Sequence, residues 1–410
     1  MRFVIVATWK GPSRSRILRR FRFDAPGGPD GRRTSSRARL RQKTPDAPPD
    51  TPVETPTHLC SFRTGRPPMS LPRRRFLTLG AAGAATCALR PERLLWAAGR
   101  AGWEASVALP WATQEVYGTT WNGRIVVAGG LRSGADRDRR FTTLEETALF
   151  DPSTEAWTRG PALPSPRHHI VLAEADGTVY GFGGFVGETL RNGFQFRPDV
   201  YAFDGGQWAR IGTMPTPLGE TVALAVEERV HLVTGSLHPD DGASDGASRA
   251  HLVYDSGADA WSEARPVPTG RSSATGAVID GRLYVVGGRR TEGGVTNLGA
   301  VERYEPTTDT WTELRPLPQP SGGLAGAALD GTLYVFGGEY FSGDGGVYGR
   351  TWAYDPDVDA WTQHAPMPTP RHGLAGAALG GHIYAIGGNP AAGIGAATSS
   401  VVERLSPTTD

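Results

Sequence analysis

The chain of 410 residues is short of cysteine and, over most of its length, of lysine. Its two cysteines are Cys60 and Cys87, and none falls between 103 and 410. No disulfide and no thiolate metal site can therefore form inside that stretch. Both lysines, Lys10 and Lys43, precede Met69. Residues 101–410 hold 22 Arg against 36 Asp and Glu, a net of 22 − 36 = −14. Phosphate binding relies on clustered Lys and Arg that release counterions, so composition argues against a nucleic-acid partner for this part. Long apolar runs are missing as well. The nearest approach is Phe76 to Leu89, which at 14 residues is too short to span a bilayer.

The formal net charge of +1 conceals two unlike halves, because residues 1–68 hold 15 Lys and Arg against 5 Asp and Glu. That segment is otherwise rich in Pro, Ser, Thr and Gly and lacks the apolar periodicity of a folded unit. It reads as a disordered basic segment or as a mis-assigned start ahead of a true start at Met69. From there Arg73-Arg74-Arg75-Phe76-Leu77 resembles the twin-arginine pattern R-R-x-F-L, followed by the short Ala/Gly-rich run and by Arg90 and Arg93. Residues 69–102 are thus expected to be a twin-arginine signal peptide, with Ala97-Ala98-Gly99 as a small-residue cleavage site. The implied location is periplasmic or extracellular. The alternative is a lipoprotein, attached to the membrane only if Cys87 is lipidated; Ala84-Ala85-Thr86 before it lack the leading Leu of that motif.

Beyond residue 102 the chain repeats itself. Trp103, Trp157, Trp208, Trp261, Trp311 and Trp361 recur every 50–54 residues. Exactly fixed spacing follows each: 27 positions on lie Gly130, Gly184, Gly235, Gly288, Gly338 and Gly388. In all but one copy the preceding residue is also Gly, the exception being Thr234. All length variation lies between the glycines and the next Trp. Each copy reads as four strands. A small apolar strand such as Leu374–Leu379 comes first, then a turn such as Asp280-Gly281 or Asn122-Gly123. An alternating strand follows and ends in the glycines. The third carries an aromatic and an acid, as in Tyr304-Glu305, and the Trp opens the fourth.

A Gly-Gly after an apolar strand, then a Tyr, then a Trp resembles the kelch repeat, over residues 103–410 and in six copies. The resemblance implies an all-β, six-bladed β-propeller with one four-stranded sheet per blade. The chain ends Val401-Val402-Glu403-Arg404-Leu405-Ser406-Pro407-Thr408-Thr409-Asp410, where a Trp strand should begin, and Trp103 is a Trp strand without its own blade. The N-terminal strand is therefore expected to complete the last blade, which removes a free sheet edge.

Turns in such a blade alternate between two faces. The variable stretches 131–146, 185–199, 236–250, 289–300, 339–350 and 389–400 share one face with the links between blades, and variable loops on a rigid scaffold are where function usually sits. Ten residues after each Trp the link reads Thr113, Arg167, Leu218, Arg271, Ser321, Arg371. Arg167, Arg271 and Arg371, on alternate blades, are candidates to grip an anionic group at the channel mouth, joined by His168 and His372. The competing reading is that each fork bonds its own loop. Glu115 and Glu220 are the candidate proton-transfer residues if there is catalysis; His169 lies beside them. Loop residues Arg132, Arg137, Arg139, Arg140, Arg191 and Arg197 are expected to be solvated or paired with Asp136 and Asp138.

The expected function is that of an exported, non-enzymatic propeller binding a protein, peptide or glycan, an anionic one among the candidates, as a monomer without cofactor or metal. The alternative is a sugar-acid mutarotase or epimerase, because exported six-bladed kelch proteins include sialic-acid mutarotases and anomer exchange needs positioned proton donors and acceptors. A copper-radical oxidase of the kelch type is excluded, since its cofactor needs a Cys cross-linked to a Tyr.

Overall fold

The computed structural model describes residues 102–133, 141–187, 194–237, 247–394 and 397–407. The basic segment, the expected signal peptide up to residue 101, and Cys60 and Cys87 lie outside the described residues, as do Asp136, Arg137, Asp138, Arg139, Arg140 and Arg191.

Each blade is a four-stranded antiparallel sheet whose outermost strand carries the repeat Trp, and six such sheets form the ring. In blade 4 the strands are Thr275–Ile279, Arg282–Val286, Val301–Glu305 and Thr310–Glu313. Asp280 and Gly281 between the first two take φ of 49° and 71°, the paired positive values of a two-residue hairpin. The innermost strands of neighbouring blades pack side by side around the axis. Crowding explains their small residues: a Cβ on Gly376 would lie 2.7 Å from the Gly326 carbonyl of the neighbouring blade. The inner strands of all six blades enclose an axial channel of about 380 Å³.

The aromatic of the third strand packs on the Trp of the fourth, with ring centroids 5.0 Å apart for Tyr304 and Trp311 and 4.9 Å for Tyr354 and Trp361. The tyrosine hydroxyl donates to an aspartate of the following turn, Asp309 at 2.9 Å and Asp359 at 2.7 Å. The Trp also fastens its blade to the one before. Trp157, Trp311 and Trp361 donate their indole N–H to the carbonyls of Val107, Arg265 and Arg315, at 2.8–2.9 Å. Trp103 and Trp208 donate instead to the hydroxyls of Thr351 and Thr147.

Closure is as the sequence implied. Gly102–Ala105 pairs with Val402–Ser406, placing Trp103 opposite Leu405 and completing blade 6. Thr234, at the one place where the glycine pair fails, keeps the glycine-like φ of 60°. Its hydroxyl accepts the Arg271 N–H at 3.0 Å, which offsets the strain of a branched residue there. The described ends of three variable stretches pair as short strands. Leu131–Ser133 pairs with Phe141–Thr143, Phe185–Val186 with Gln195–Phe196, and Arg289–Arg290 with Thr296–Asn297. These paired bases hold a constant position over the mouth.

Candidate functional site

The three link arginines are not at the mouth. Each is folded back into its own blade and fully buried. Arg271 bonds the Glu302 carboxylate, the Thr269 carbonyl at 2.8 Å and the Val285 carbonyl at 3.1 Å. Arg371 repeats this with Glu403 at 2.8 Å and the carbonyls of Thr369, Ala385 and Gly387. Arg167 bonds Asp199, the Tyr201 hydroxyl at 3.0 Å and the Pro166 carbonyl. A guanidinium fork is well shaped to satisfy several buried carbonyls and one carboxylate. The expected triangle of anion-gripping arginines is therefore replaced by three internal braces. Among the loop arginines, Arg132 pairs with Glu146 at 3.1 Å and Arg197 bonds Gln195 at 3.0 Å.

What does converge at the mouth is the residue twelve positions after each Trp: Glu115, His169, Glu220, Ser273, Gly323 and Gly373. All six take the left-handed conformation, with φ between 51° and 68°. Their backbones join hand to hand around the axis. The N–H groups of His169, Glu115, Gly373, Gly323 and Ser273 donate to the carbonyls of Glu115, Gly373, Gly323, Ser273 and Glu220 in turn. These five bonds of 2.7–3.2 Å link all six blades. Blades 5 and 6 use glycine, the residue this conformation favours. In blades 1 to 4 a non-glycine residue bears the strain, of order 1 kcal/mol each, which marks a place where the side chain matters.

A second set stands directly after the glycine pair: Leu131, Phe185, Ser236, Arg289, Glu339 and Asn389. Backbone bridges pair them with Gln114, His168, Gly219, Ser272, Gly322 and His372 of the same blades' links. The two sets meet in one buried cluster. Glu115 Oε2 lies 2.9 Å from His169 Nε2, which is 3.5 Å from Glu220 Oε1. Glu220 accepts the Ser273 hydroxyl at 2.8 Å and the Ser236 hydroxyl at 3.3 Å. Arg289 bonds Glu339, and His372 Nε2 lies 3.4 Å from Glu339 and 3.5 Å from Glu115. The Glu115 carboxylate fits because Gly373 has no side chain; a Cβ there would meet it at 2.8 Å.

Electrostatics keep this cluster charged. Burial alone would raise the Glu115 and Glu220 carboxyls, but His169 and His372 around Glu115, and Arg289 with His169 around Glu220, hold both below the usual carboxylate range. Burial would lower His169, yet the Glu115 and Glu220 carboxylates outweigh it and raise the imidazole above its ordinary value. His168 is pushed well down by burial and by His169, whose Nδ1 lies 2.6 Å from the His168 Nδ1. Burial and the two glutamates raise the Tyr117 hydroxyl well above its normal range. Among the described residues no set of His, Cys, Asp and Glu is arranged to hold a metal ion.

Aromatic side chains flank the cluster on blades 2 and 5, which face each other across a ring of six. Phe194 stands edge-on to His168 at 4.5 Å and 5.3 Å from Phe185, which contacts Phe196. On blade 5 Tyr340 packs on Tyr348 at 4.9 Å, and the Arg289 guanidinium lies 5.7 Å over the exposed Phe341 ring.

Of the residues singled out from the sequence, Glu115, Glu220 and His372 do meet, with His168 one layer behind. Arg289, Glu339, Ser236 and Ser273 were missed. Their signal was divergence at a constant place. The residue after the glycines reads Leu, Phe, Ser, Arg, Glu, Asn at a fixed distance from each Trp, directly behind a Gly that every copy keeps.

Six near-identical sheets around a small-residue channel, with unlike polar residues gathered at one mouth, define a repeat propeller with one specialised face. The family model described as the KLHDC2/KLHL20/DRC7 Kelch-repeats domain matches residues 116–338 and 242–388, and the chain belongs to this kelch-repeat family. It is 23% identical to Kelch-like protein 23 of Mus musculus over 244 residues, covering 50% of this chain and 42% of that protein. Kelch-like protein 35 of Mus musculus is 26% identical over 177 residues, 43% of this chain and 27% of that protein. Kelch-like protein terF of Aspergillus terreus is 26% identical over 170 residues, 40% and 36% respectively. The matches thus span less than half the length of each of these relatives.

Proposed function

We propose that this chain is an exported, non-enzymatic propeller that binds a protein, peptide or glycan on its channel-mouth face. One observation supports this above the rest. The copies diverge at the mouth, and there four L residues, three of them Glu or His, occupy a conformation that two other blades give to glycine. A scaffold selected for stability alone gains nothing from that strain. Export rests on Arg73-Arg74-Arg75-Phe76-Leu77 and the apolar run behind it. To test the reading, the tagged full chain is used to capture partners from periplasmic and culture extracts. Glu220→Gln and Glu339→Gln should weaken capture at least about tenfold, roughly 1.4 kcal/mol. Asp280→Asn, in a turn on the opposite face, should leave it unchanged. Equal capture by all three would reject the mouth as the binding face.

A second reading, sugar-acid mutarotation, draws support from the Glu115–His169 contact of 2.9 Å, which has the geometry of an acid–base pair. Exchange NMR with sialic acid tests it. No acceleration over buffer, or equal acceleration by Glu115→Gln, would remove this alternative.

A further inference from the structure

We infer that Glu220 is the docking point for a cationic group of the ligand, an ammonium or guanidinium, held between its carboxylate and the aromatic wall of blade 2. This rests on the reading of the mouth as the binding face and goes further by giving the sign of the ligand's charge.

The first argument is charge balance. The cluster contains three carboxylates, Glu115, Glu220 and Glu339, and one guanidinium, Arg289. Arg289 is bonded to Glu339, and His169 is bonded to Glu115 at 2.9 Å. Glu220 is left with two serine hydroxyls and a long 3.5 Å approach from His169. Among the described residues no guanidinium bonds it. Arg289 and His169 face Glu220 without neutralising all three acids: one guanidinium and one imidazole, each bonded to another glutamate, are shared among three carboxylates, and that excess of negative charge favours an incoming cation.

The second argument is access. The Glu220 side chain is 14% exposed, against 5% for Glu115 and 2% for Glu339, so it is the acid a ligand meets first. The third is an unfilled demand deeper in the same cluster. His372 is fully buried between Glu115 and Glu339, and neither of its ring nitrogens makes a hydrogen bond. The cluster's own groups therefore do not complete it. Lastly, Phe185 lies over Gly219, the residue before Glu220, where there is no side chain to displace it. Phe185 itself is buried, so the half-buried Phe194 packed on it is the ring a cation would meet, and aromatic faces attract cations.

The groups facing Glu220 come from every neighbouring blade: Glu115 and Tyr117, His169, Ser236, Ser273 and Arg289, with Glu339 and His372 behind. A ligand cation and the His169 proton compete for the same carboxylates. Affinity for a cation should therefore rise as pH increases through the His169 titration, and affinity for an anion should fall.

The test is calorimetric titration of the full chain with acetyl-Gly-Arg-Gly-amide, its uncharged citrulline isostere and the Glu counterpart. The arginine peptide should bind at least about tenfold tighter than the citrulline peptide, more so at higher pH. Glu220→Gln should abolish that difference. Ser236→Ala, which removes the longer of the two hydroxyl bonds to the carboxylate, should weaken binding about threefold without changing the melting temperature. Equal or tighter binding of the Glu peptide, no binding of the arginine peptide at about 10 mM, or a preference that survives in Glu220→Gln would each overturn the inference. If Glu220→Gln and Glu339→Gln still lose the captured partner in that event, the mouth remains the binding face and only the sign of the ligand is wrong. If they capture it normally, both fall.

Discussion

Arg271 and Arg289 belong to the same blade, and each is bonded to a glutamate in the interior. Arg271 reaches Glu302 within blade 4 and finishes its valence on carbonyls of that blade. The pattern recurs almost atom for atom at Arg371 and, with Asp199, at Arg167. Arg289 reaches across to Glu339 of blade 5, in a buried arrangement that occurs once among the described residues. The same pair of functional groups thus serves as a repeated brace inside a blade and, at Arg289, as a buried tie between blades 4 and 5. Repetition marks the groups that hold the sheet together, and uniqueness marks those free to specialise.

That contrast can be broken at several points. The largest effect should come where a blade depends on a distant piece of chain. A protein beginning at residue 113 loses the strand Gly102–Ala105 and should melt at least about 5–10 °C lower, by differential scanning calorimetry. An unchanged melting temperature would mean the seam does not hold the ring closed. Next comes the brace itself. Arg271→Ala leaves the buried Glu302 carboxylate and two carbonyls without a partner and should cost about 3–5 kcal/mol in urea denaturation. A cost below about 1 kcal/mol would put the brace on a par with a surface pair.

The inter-blade cluster should show itself through pH. The His169 contribution is complete below the ordinary histidine value of about 6.5 and is lost as pH rises through its raised folded value. The contributions of Glu115 and Glu220 are complete above the ordinary value of about 4.3 and are lost as pH falls through their lowered folded values. Stability from this cluster should therefore be greatest between about 4.5 and 6.5. In Glu115→Gln the alkaline decline should be smaller and end at lower pH, because His169 loses its main partner. Melting curves across pH would show it, and an unshifted alkaline limb would remove that coupling. The smallest effect is expected from Ser273→Gly. Relief of the positive φ offsets the lost hydrogen bond to Glu220, so stability should change by less than about 1 kcal/mol. Ligand binding should nevertheless weaken. A large loss of stability would mean that Ser273 is structural.

Fold and site were unequally legible in the sequence. The blades could be read because their determinants are local. Asp280-Gly281 demands a tight turn, Tyr304 and Trp311 face each other across paired strands, and Gly376 leaves room for the next blade. Seam closure could be read because the last copy lacks what the first residues supply. The mouth was harder. Arg167, Arg271 and Arg371 sit at its level in the chain, and nothing local to the link tells whether a long side chain turns outward or back toward Glu302 or Glu403 some thirty residues later. Arg289 and Glu339 went unnoticed because they fall in the variable stretch. Only the pairing of Arg289 with Ser272, and of Glu339 with Gly322, carries them to the axis.

The backbone circle from Glu220 to His169 has a consequence for recognition. Moving any one of its residues outward breaks its amide bonds to the neighbouring blades. The floor of the mouth is therefore in place before any ligand arrives, and none of the entropy of association is spent on ordering it. Ligands that touch only the floor should therefore bind with little conformational cost.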